Sequence, residues 1–535
     1  MQSPLPRRAA GAAPEFVDPA GAKAWLENVP LANVAAAQRQ LLAQVEEFNR
    51  FATPSANRLA TLERLREAVH FVQIEQARRF INRALPMAEA EGAVFADTLA
   101  LWEQMRLGYL RCVDAIEAKE PGMRGQGALA CQRALALAGL KMFHFHRAYR
   151  QVPREEWRAL HRMYARAEAL KVSETPVKDY LNRDVHDTSP RIAYMRALLL
   201  GMANPNELSQ RQLTFVAFLL ERWAEKVEIS ARPGAEDLDA PPLIVDLEGE
   251  TCAERGGPQV AQPRYLDALR LSKSLRSRIG LMRKGESPAR LGLGEDCVQP
   301  SCEQLLVFLY RQWCQPRQPR ASERKRVSDV AQACNDMAAV HYCVSGKAFR
   351  QPEAARQLSA RQRDEIATFG RVSTREDEAY SAAHGLQLEP WQLLDESALG
   401  LKMMRSAGTP GKRYMHGQLV AVRPGDAKGF MLGQVRWLSQ SEEGDLYAGV
   451  RLLPGLPAAS AVRATGLNVR DDQFVQALSL TAVPALNSPP ALVLPAGWYK
   501  PKRVIEVYID TTVQVELAEV LERGSDFERV SYGVL

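Results

Sequence analysis

The sequence predicts a multidomain chain: an all-α N-terminal helical bundle or solenoid, then an all-β barrel, then a further small β region. Three observations carry this. Between Asp18 and Lys226, apolar residues step by three and four in segment after segment, with prolines at the breaks. From residue 417 come short, alternating, β-branched runs, Gly417–Arg423, Gly433–Leu438 and Tyr447–Leu453, parted by Gly, Pro, Asp and Ser. And 535 residues is more than one hydrophobic core normally organises.

Residues 1–18 are rich in Pro and Ala and predict a disordered tail. The helical domain spans 19–226. Ser55 is an N-cap candidate for a helix that lines up Leu59, Leu62, Leu65, Val69 and Val72. Further helices are expected at 31–50, 88–118, 124–150, 154–170, 191–203 and 208–226, separated by Pro30, Pro54, Pro86, Pro121, Pro153, Pro176 and Pro205. No repeat period names a particular solenoid. Residues 227–315 have the composition of a linker, with one short strand at Leu243–Leu247 and additional helices at 265–282 and 302–313.

A barrel domain is assigned to 316–470. It opens with the basic loop Arg317–Arg326, which feeds a strand through the apolar run Met337–Val344, and it holds a helical insertion at 347–375. Trp391–Met404 predicts a strand, a turn and a second strand. Residues 471–535 add strands at 474–480, 504–509, 512–517 and 527–534, forming a second small barrel or an extension of the first.

The apolar fraction of 46% and charged fraction of 25% are those of a globular protein. A net charge of +6 neither demands nor excludes an anionic partner, and the absence of a concentrated basic face argues against nucleic acid. No apolar run is long enough to span a membrane, and the start lacks the apolar core of a signal peptide, so a cytoplasmic protein is expected. The eight cysteines include no C-x-x-C pair, which suits reduced thiols. Cys297 and Cys302 are taken as unrelated loop thiols, since no second pair follows at zinc spacing. His144 and His146 would point to different helix faces and His341 into a strand's core, so no metal is expected.

Ser397 lacks the G-x-S-x-G elbow, and no H-E-x-x-H, P-loop, kinase or dinucleotide motif occurs. Leu291-Gly-Leu-Gly294 lacks the third glycine and the lysine of a phosphate loop and is a turn. An enzyme is not expected.

The turn within Trp391–Met404 carries Asp395, Ser397 and Gly400 in the order D-x-S-x-x-G. It is followed by G-x-V-R-W from Gly433 to Trp437 and by Ala448-Gly-Val-Arg-Leu452. This series resembles the PilZ domain, a bacterial β-barrel that binds cyclic di-GMP. The resemblance covers about 318–470, under a third of the chain. It implies that Asp395 and Ser397 face a guanine and that Gly400 supplies a backbone shape closed to other residues. It also implies an R-x-x-x-R pair that closes over the ligand from just before the first strand, since arginine's flat fork both pairs with phosphate and stacks on bases.

Two pairs qualify. Arg320 and Arg324 precede the strand expected at 337–344 and are favoured, with Arg317 and Arg326 as helpers. Arg371 and Arg375 precede Asp395 by twenty residues or more, but the acids Glu376–Glu378 that follow would repel phosphate. Within the barrel, Trp437 is expected to fill the interior while Arg436 alternates outward, and Arg423 and Arg451 are expected in solvent. The catalytic signatures for making or degrading cyclic di-GMP are absent. The expected function is a cyclic di-GMP effector without cofactor or metal, whose helical region holds a protein partner. The alternative is a degenerate PilZ-like adaptor that binds no nucleotide.

Overall fold

The computed structural model describes residues 11, 13–233, 243–256, 260–295, 297–299, 301–316, 324–352, 388–465 and 473–535. The chain divides into two compact units, Met1–Arg83 with Met87–Pro319, and Ala84–Pro86 with Arg320–Leu535.

The first unit is helical, as its periodicity dictates. Its helices are α1 (Pro19–Leu26), α2 (Val34–Arg50), α3 (Ser55–Ala77), α4 (Glu89–Glu117), α5 (Gly127–Arg147), α6 (Arg154–Ala169), α7 (Pro190–Met202) and α8 (Gln210–Trp223). A small hairpin of β1 (Val177–Lys178) and β2 (Asp187–Thr188) separates α6 from α7. The starts are capped where the sequence offers an acceptor. Asp18 accepts from the Gly21 N–H at 2.7 Å, and the Ser209 hydroxyl and Gln212 side chain cap each other's backbone at α8. α5 is buried nearly all round and forms the centre, packed by α4, α6 and α7.

Several expectations are revised here, each for a local reason. Ser55 is not the cap of α3: Pro54 holds that position, and the Ser55 N–H and hydroxyl both donate to the Glu120 carboxylate, at 3.0 and 2.8 Å. The tail expected over 1–18 lies largely outside the described residues, but Phe16 is buried, with its ring 5.2 Å from Trp25 and 5.4 Å from Phe48. That apolar anchor orders the approach to α1. The helices expected within 227–315 are present, but 227–263 is not a linker. Its β3 (Glu228–Ser230), β4 (Leu243–Asp246), β5 (Glu254–Arg255) and β6 (Pro263–Asp267) form a sheet in the order β3-β6-β4-β5, followed by α9 (Leu269–Arg283) and α10 (Ser301–Cys314). Leu243, Val245, Leu247 and Leu266 are buried, so the Pro- and Gly-rich composition belongs to its turns. Cys297 and Cys302 are also not separate thiols: they form a disulfide with Cα atoms 5.2 Å apart, a spacing that suits the bond.

The second unit contains two closed barrels. The first is built from β7 (Lys325–Asn335), β8 (Glu389–Ser397), β9 (Gly400–Arg405), β10 (Leu419–Arg423), β11 (Met431–Gln440) and β12 (Leu446–Leu452), in the order β10-β11-β12-β9-β8-β7. The second comprises β13 (Pro457–Ala464), β14 (Val475–Leu480), β15 (Ala491–Pro495), β16 (Val504–Tyr508), β17 (Thr512–Arg523) and β18 (Phe527–Val534), in the order β13-β14-β15-β18-β17-β16. It is a barrel of its own and it begins at Pro457, so the domain boundary lies at 453–456 and not at 470. β13 is not evident in the sequence because it opens on a proline and is half alanine, and β15 because it is five residues long and follows two prolines.

The apolar run Met337–Val344 is not a strand but lies in helix α11 (Met337–Ser345). Asp336, at φ 69°, turns the chain out of β7 and accepts from the Ala339 N–H at 2.8 Å, while Gly346, also at φ 69°, ends the helix. Short apolar runs do not reveal their period, and here the flanking cap residues decide it. His341 is buried on this helix against Phe349, not in a strand. α11 packs between the barrels, where Ala339 and Val340 meet Leu419 and Ala421 from the first barrel and Leu478 and Leu480 from the second. The helical insertion expected at 347–375 lies outside the described residues from 353 onward.

Candidate functional site

Strand β7 begins at Lys325, immediately after Arg324. The favoured R-x-x-x-R pair therefore ends where the first strand starts, with no intervening loop. β7 then pairs antiparallel with β8, which sets Arg326 opposite Asp395. Arg324 reaches across this rung and forms an ion pair with the Asp395 carboxylate, its Nη1 donating to Oδ1. Both side chains are partly buried, at 30% and 19% exposure, so the pair is reachable from solvent.

The same rung continues around the barrel. Asp395 lies opposite Lys402, Lys402 opposite Gly449, and Gly449 opposite Trp437. Arg326, Asp395, Lys402, Gly449 and Trp437 thus form one row across β7, β8, β9, β12 and β11, on the outer face.

Two β-bulges place Asp395 and Trp437 in that row. In β8, Leu393 lies opposite Met403 and both are buried. Strict alternation would also send Asp395 inward, but the extra residue at Leu394 returns it to the outer face beside Lys402. In β11, Val435 is buried opposite Val450, and the extra residue at Arg436 does the same for Trp437. Trp437 is therefore half-buried on the outside and not in the barrel interior, which Trp391, Leu401 and Leu438 fill instead. Its indole lies across Gly449, where a Cβ would come within 1.9 Å of Nε1. Arg436 does point to solvent, as alternation predicts.

The neighbouring rung holds the rest of the turn. Ser397 lies opposite Gly400, and its hydroxyl donates to the Gly400 carbonyl at 3.3 Å. Gly400 is required by space and not by backbone shape: its φ is ordinary, but a Cβ would stand 2.9 Å from the Val450 carbonyl oxygen. Arg451 lies opposite Gly400 and forms an ion pair with Glu522 of the second barrel. Burial, with Arg436 and Arg529 nearby, lowers the Arg451 pKa, a sign of crowded positive charge. Arg423, by contrast, packs over the Phe430 ring and bonds Gln332.

Of the sequence-predicted site residues, Arg324, Arg326, Asp395, Ser397 and Gly400 come together at one end of the first barrel. Arg317, Arg320, Arg371 and Arg375 lie outside the described residues. Lys402 and the outward Trp437 were missed, because bulges leave no mark on an alternation pattern. Among the described residues, no group of three or more His, Cys, Asp or Glu side chains is placed to hold a metal ion. His161, for example, is engaged by the Tyr194 hydroxyl at 2.7 Å and the Thr251 carbonyl at 2.8 Å. No helix among the described residues is long and apolar enough to cross a membrane.

Residues 20–234 match the family model described as "Cyclic-di-GMP receptor FimW, N-terminal domain", and residues 458–535 match the "FimW C-terminal beta-barrel domain". A protein of Pseudomonas aeruginosa named "Cyclic-di-GMP receptor FimW" is 24% identical over 521 residues, covering 89% of this chain and 84% of that protein. The two matched stretches flank the first barrel without entering it, whereas the full-length similarity runs through most of the chain. At both ends, in chain order, the chain is therefore similar to the family of cyclic-di-GMP receptors typified by FimW.

Proposed function

We propose that the chain is a cyclic di-GMP receptor whose ligand sits on the outer face of the first barrel, over the row from Arg324 and Arg326 to Trp437. The observation that carries the reading is the ion pair between Arg324, the last residue before β7, and Asp395 of the D-x-S-x-x-G turn. The similarity to receptors of that name supports the choice of ligand.

Each group has a task that its chemistry fits. Cyclic di-GMP presents two phosphates and two guanines. A guanidinium fork donates bidentately to a phosphate, and a carboxylate accepts from the two N–H donors on the guanine edge. The Arg324–Asp395 pair is a resting arrangement of those two groups. On binding, Arg324 moves from the carboxylate to a phosphate and Asp395 is freed for a guanine. Little is lost in that exchange, because a partly exposed ion pair contributes roughly 0–1 kcal/mol. Arg320 completes the clasp, with Arg317 and Arg326 adding positive charge. The Trp437 indole, flat on Gly449, offers a stacking surface at the far end of the row. Ligand binding shifts the population of the receptor toward one state, and the helical region holds the protein partner that responds.

A second reading is an adaptor that binds no nucleotide. It is favoured by the fact that Arg324 and Asp395 already satisfy one another. Calorimetric titration with cyclic di-GMP separates the two. Binding at micromolar or tighter concentration, lost in Asp395→Ala and in the double variant Arg320→Ala/Arg324→Ala, supports the receptor. Binding that survives loss of Arg320 and Arg324 moves the clasp to Arg371 and Arg375. No binding by the parent chain leaves the adaptor.

A further inference from the structure

The helical unit contains a cavity of about 350 Å³ among α3, α4, α5, α7, α8 and the hairpin loop at 179–183. That volume is within the range of small-molecule pockets. Ala136, Gly139, Ala193, Ala197 and Ala217 line it, and these small residues keep open a space that larger core side chains would close. Most of the remaining wall is apolar, with Met105, Leu137, Leu140, Phe143 and Leu200 among it. Trp102 also faces the cavity; it is buried and its indole N–H has no hydrogen-bond partner. An unsatisfied buried donor is uncommon and calls for an explanation.

The polar side of the cavity is uneven in charge. Asp179 is fully engaged, bonded by Arg66 at 2.9 Å and Gln132 at 3.1 Å and paired with Arg133 at 3.3 Å. Arg196 is less fully engaged. It donates once, to Asn182 at 2.7 Å, and makes a loose ion pair with Glu221 Oε1 at 3.6 Å, leaving its side chain 27% exposed. The other carboxylate oxygen of Glu221 accepts from the Arg183 N–H at 3.0 Å and the Asp184 N–H at 3.4 Å. Burial lowers the Arg196 pKa and raises that of Glu221, so water solvates this pair poorly and a carboxylate of a ligand would compensate the cation further. A guanidinium has five donors, so most of those on Arg196 remain for a ligand.

We propose that this cavity binds a small amphipathic anion, with its apolar body between α5, α7 and α8 and its single carboxylate on Arg196. The apolar wall suits a hydrocarbon or aryl body and does not suit a dianionic dinucleotide, so this site is separate from the one on the barrel. It rests on the cavity and its charges alone and does not depend on cyclic di-GMP binding.

The test is calorimetric titration of the full chain with octanoate and, in parallel, with the uncharged octan-1-ol. Octanoate is expected to saturate one site per chain and to bind at least tenfold tighter than octanol. Arg196→Gln is expected to erase that preference, and Ala217→Trp, which fills the cavity, to abolish binding of both. Ala136→Phe serves the same purpose if Ala217→Trp proves unfolded by circular dichroism. Absence of saturable octanoate binding by the parent chain overturns the proposal. So does equal affinity for octanoate and octanol, or octanoate binding that persists in a folded cavity-filled variant.

Discussion

Arg324 and Asp395 are 71 residues apart in the chain and joined by an ion pair across the first rung of the first barrel. The pair is half-open to solvent, so its structural value is small and its removal is expected to shift unfolding by less than about 1 kcal/mol. Its value for the ligand is larger if each partner has its own task there. Arg324→Ala and Asp395→Ala are each expected to weaken cyclic di-GMP binding tenfold or more in calorimetry. The charge-exchanged double variant Arg324→Asp/Asp395→Arg should restore stability but not binding. Recovery of binding in that variant would mean that only the pair matters, not which residue holds which charge.

Gly449 gives Trp437 its position, since any side chain there would occupy the space of the indole. Gly449→Val is therefore expected to lift the ring off the barrel, shift tryptophan fluorescence and reduce affinity for cyclic di-GMP. Trp437→Ala should reduce affinity by a similar factor, with base–aromatic stacking worth about 1–3 kcal/mol. Unchanged affinity in both variants would remove Trp437 from the site.

Arg405 and Glu389 form an ion pair inside the first barrel, at 3% and 5% exposure, and the Arg405 guanidinium lies over the rings of Trp391 and Tyr414. The Tyr414 hydroxyl donates to the same Glu389 carboxylate at 3.1 Å. Arg405→Met alone leaves the carboxylate buried without its cation and is expected to cost about 3–5 kcal/mol in urea unfolding. The double variant Arg405→Met/Glu389→Gln should recover part of that loss.

The helical unit should weaken as pH falls. Burial, with Arg147 and His70 adding to it, pushes His144 down to about 3, and burial pushes His146 down to about 4. Both are neutral when folded but gain a proton on unfolding once the pH drops below about 6.5. Each therefore costs up to about 1.4 kcal/mol per pH unit below that point. Glu103 adds a second phase. Burial alone would raise its pKa, but Arg106 and Lys141 overcome this and hold it at about 2. Its contribution is present above about pH 4.5 and disappears toward pH 2. Thermal melts between pH 7.5 and 4 should show Tm falling below about pH 6.5, and His146→Leu should make that fall shallower. A Tm independent of pH over that range would contradict this burial.

Much of the fold was legible from local pattern. The helices α2 and α4 to α8 fall within a few residues of the ranges expected from apolar spacing and proline breaks. The strand–turn–strand around Asp395 and the three runs after residue 416 were equally plain. The helix at 337–345 was not, because an apolar run has no period of its own and the deciding cap, Asp336, acts through a backbone conformation that sequence does not display. The linker composition of 227–263 likewise hid a sheet whose pairing is non-local.

For the candidate site, the sequence by itself determined the residue types and their order: arginines before a strand, then Asp395, Ser397 and Gly400 in one turn. Only the tertiary structure decided which of them meet. Strand register brings Arg324 to Asp395, and single extra residues at Leu394 and Arg436 turn Asp395 and Trp437 to the outer face. Side-chain direction in a strand depends on counting from its pairing partner. One bulge reverses that count without altering the local pattern from which the strand itself is recognised.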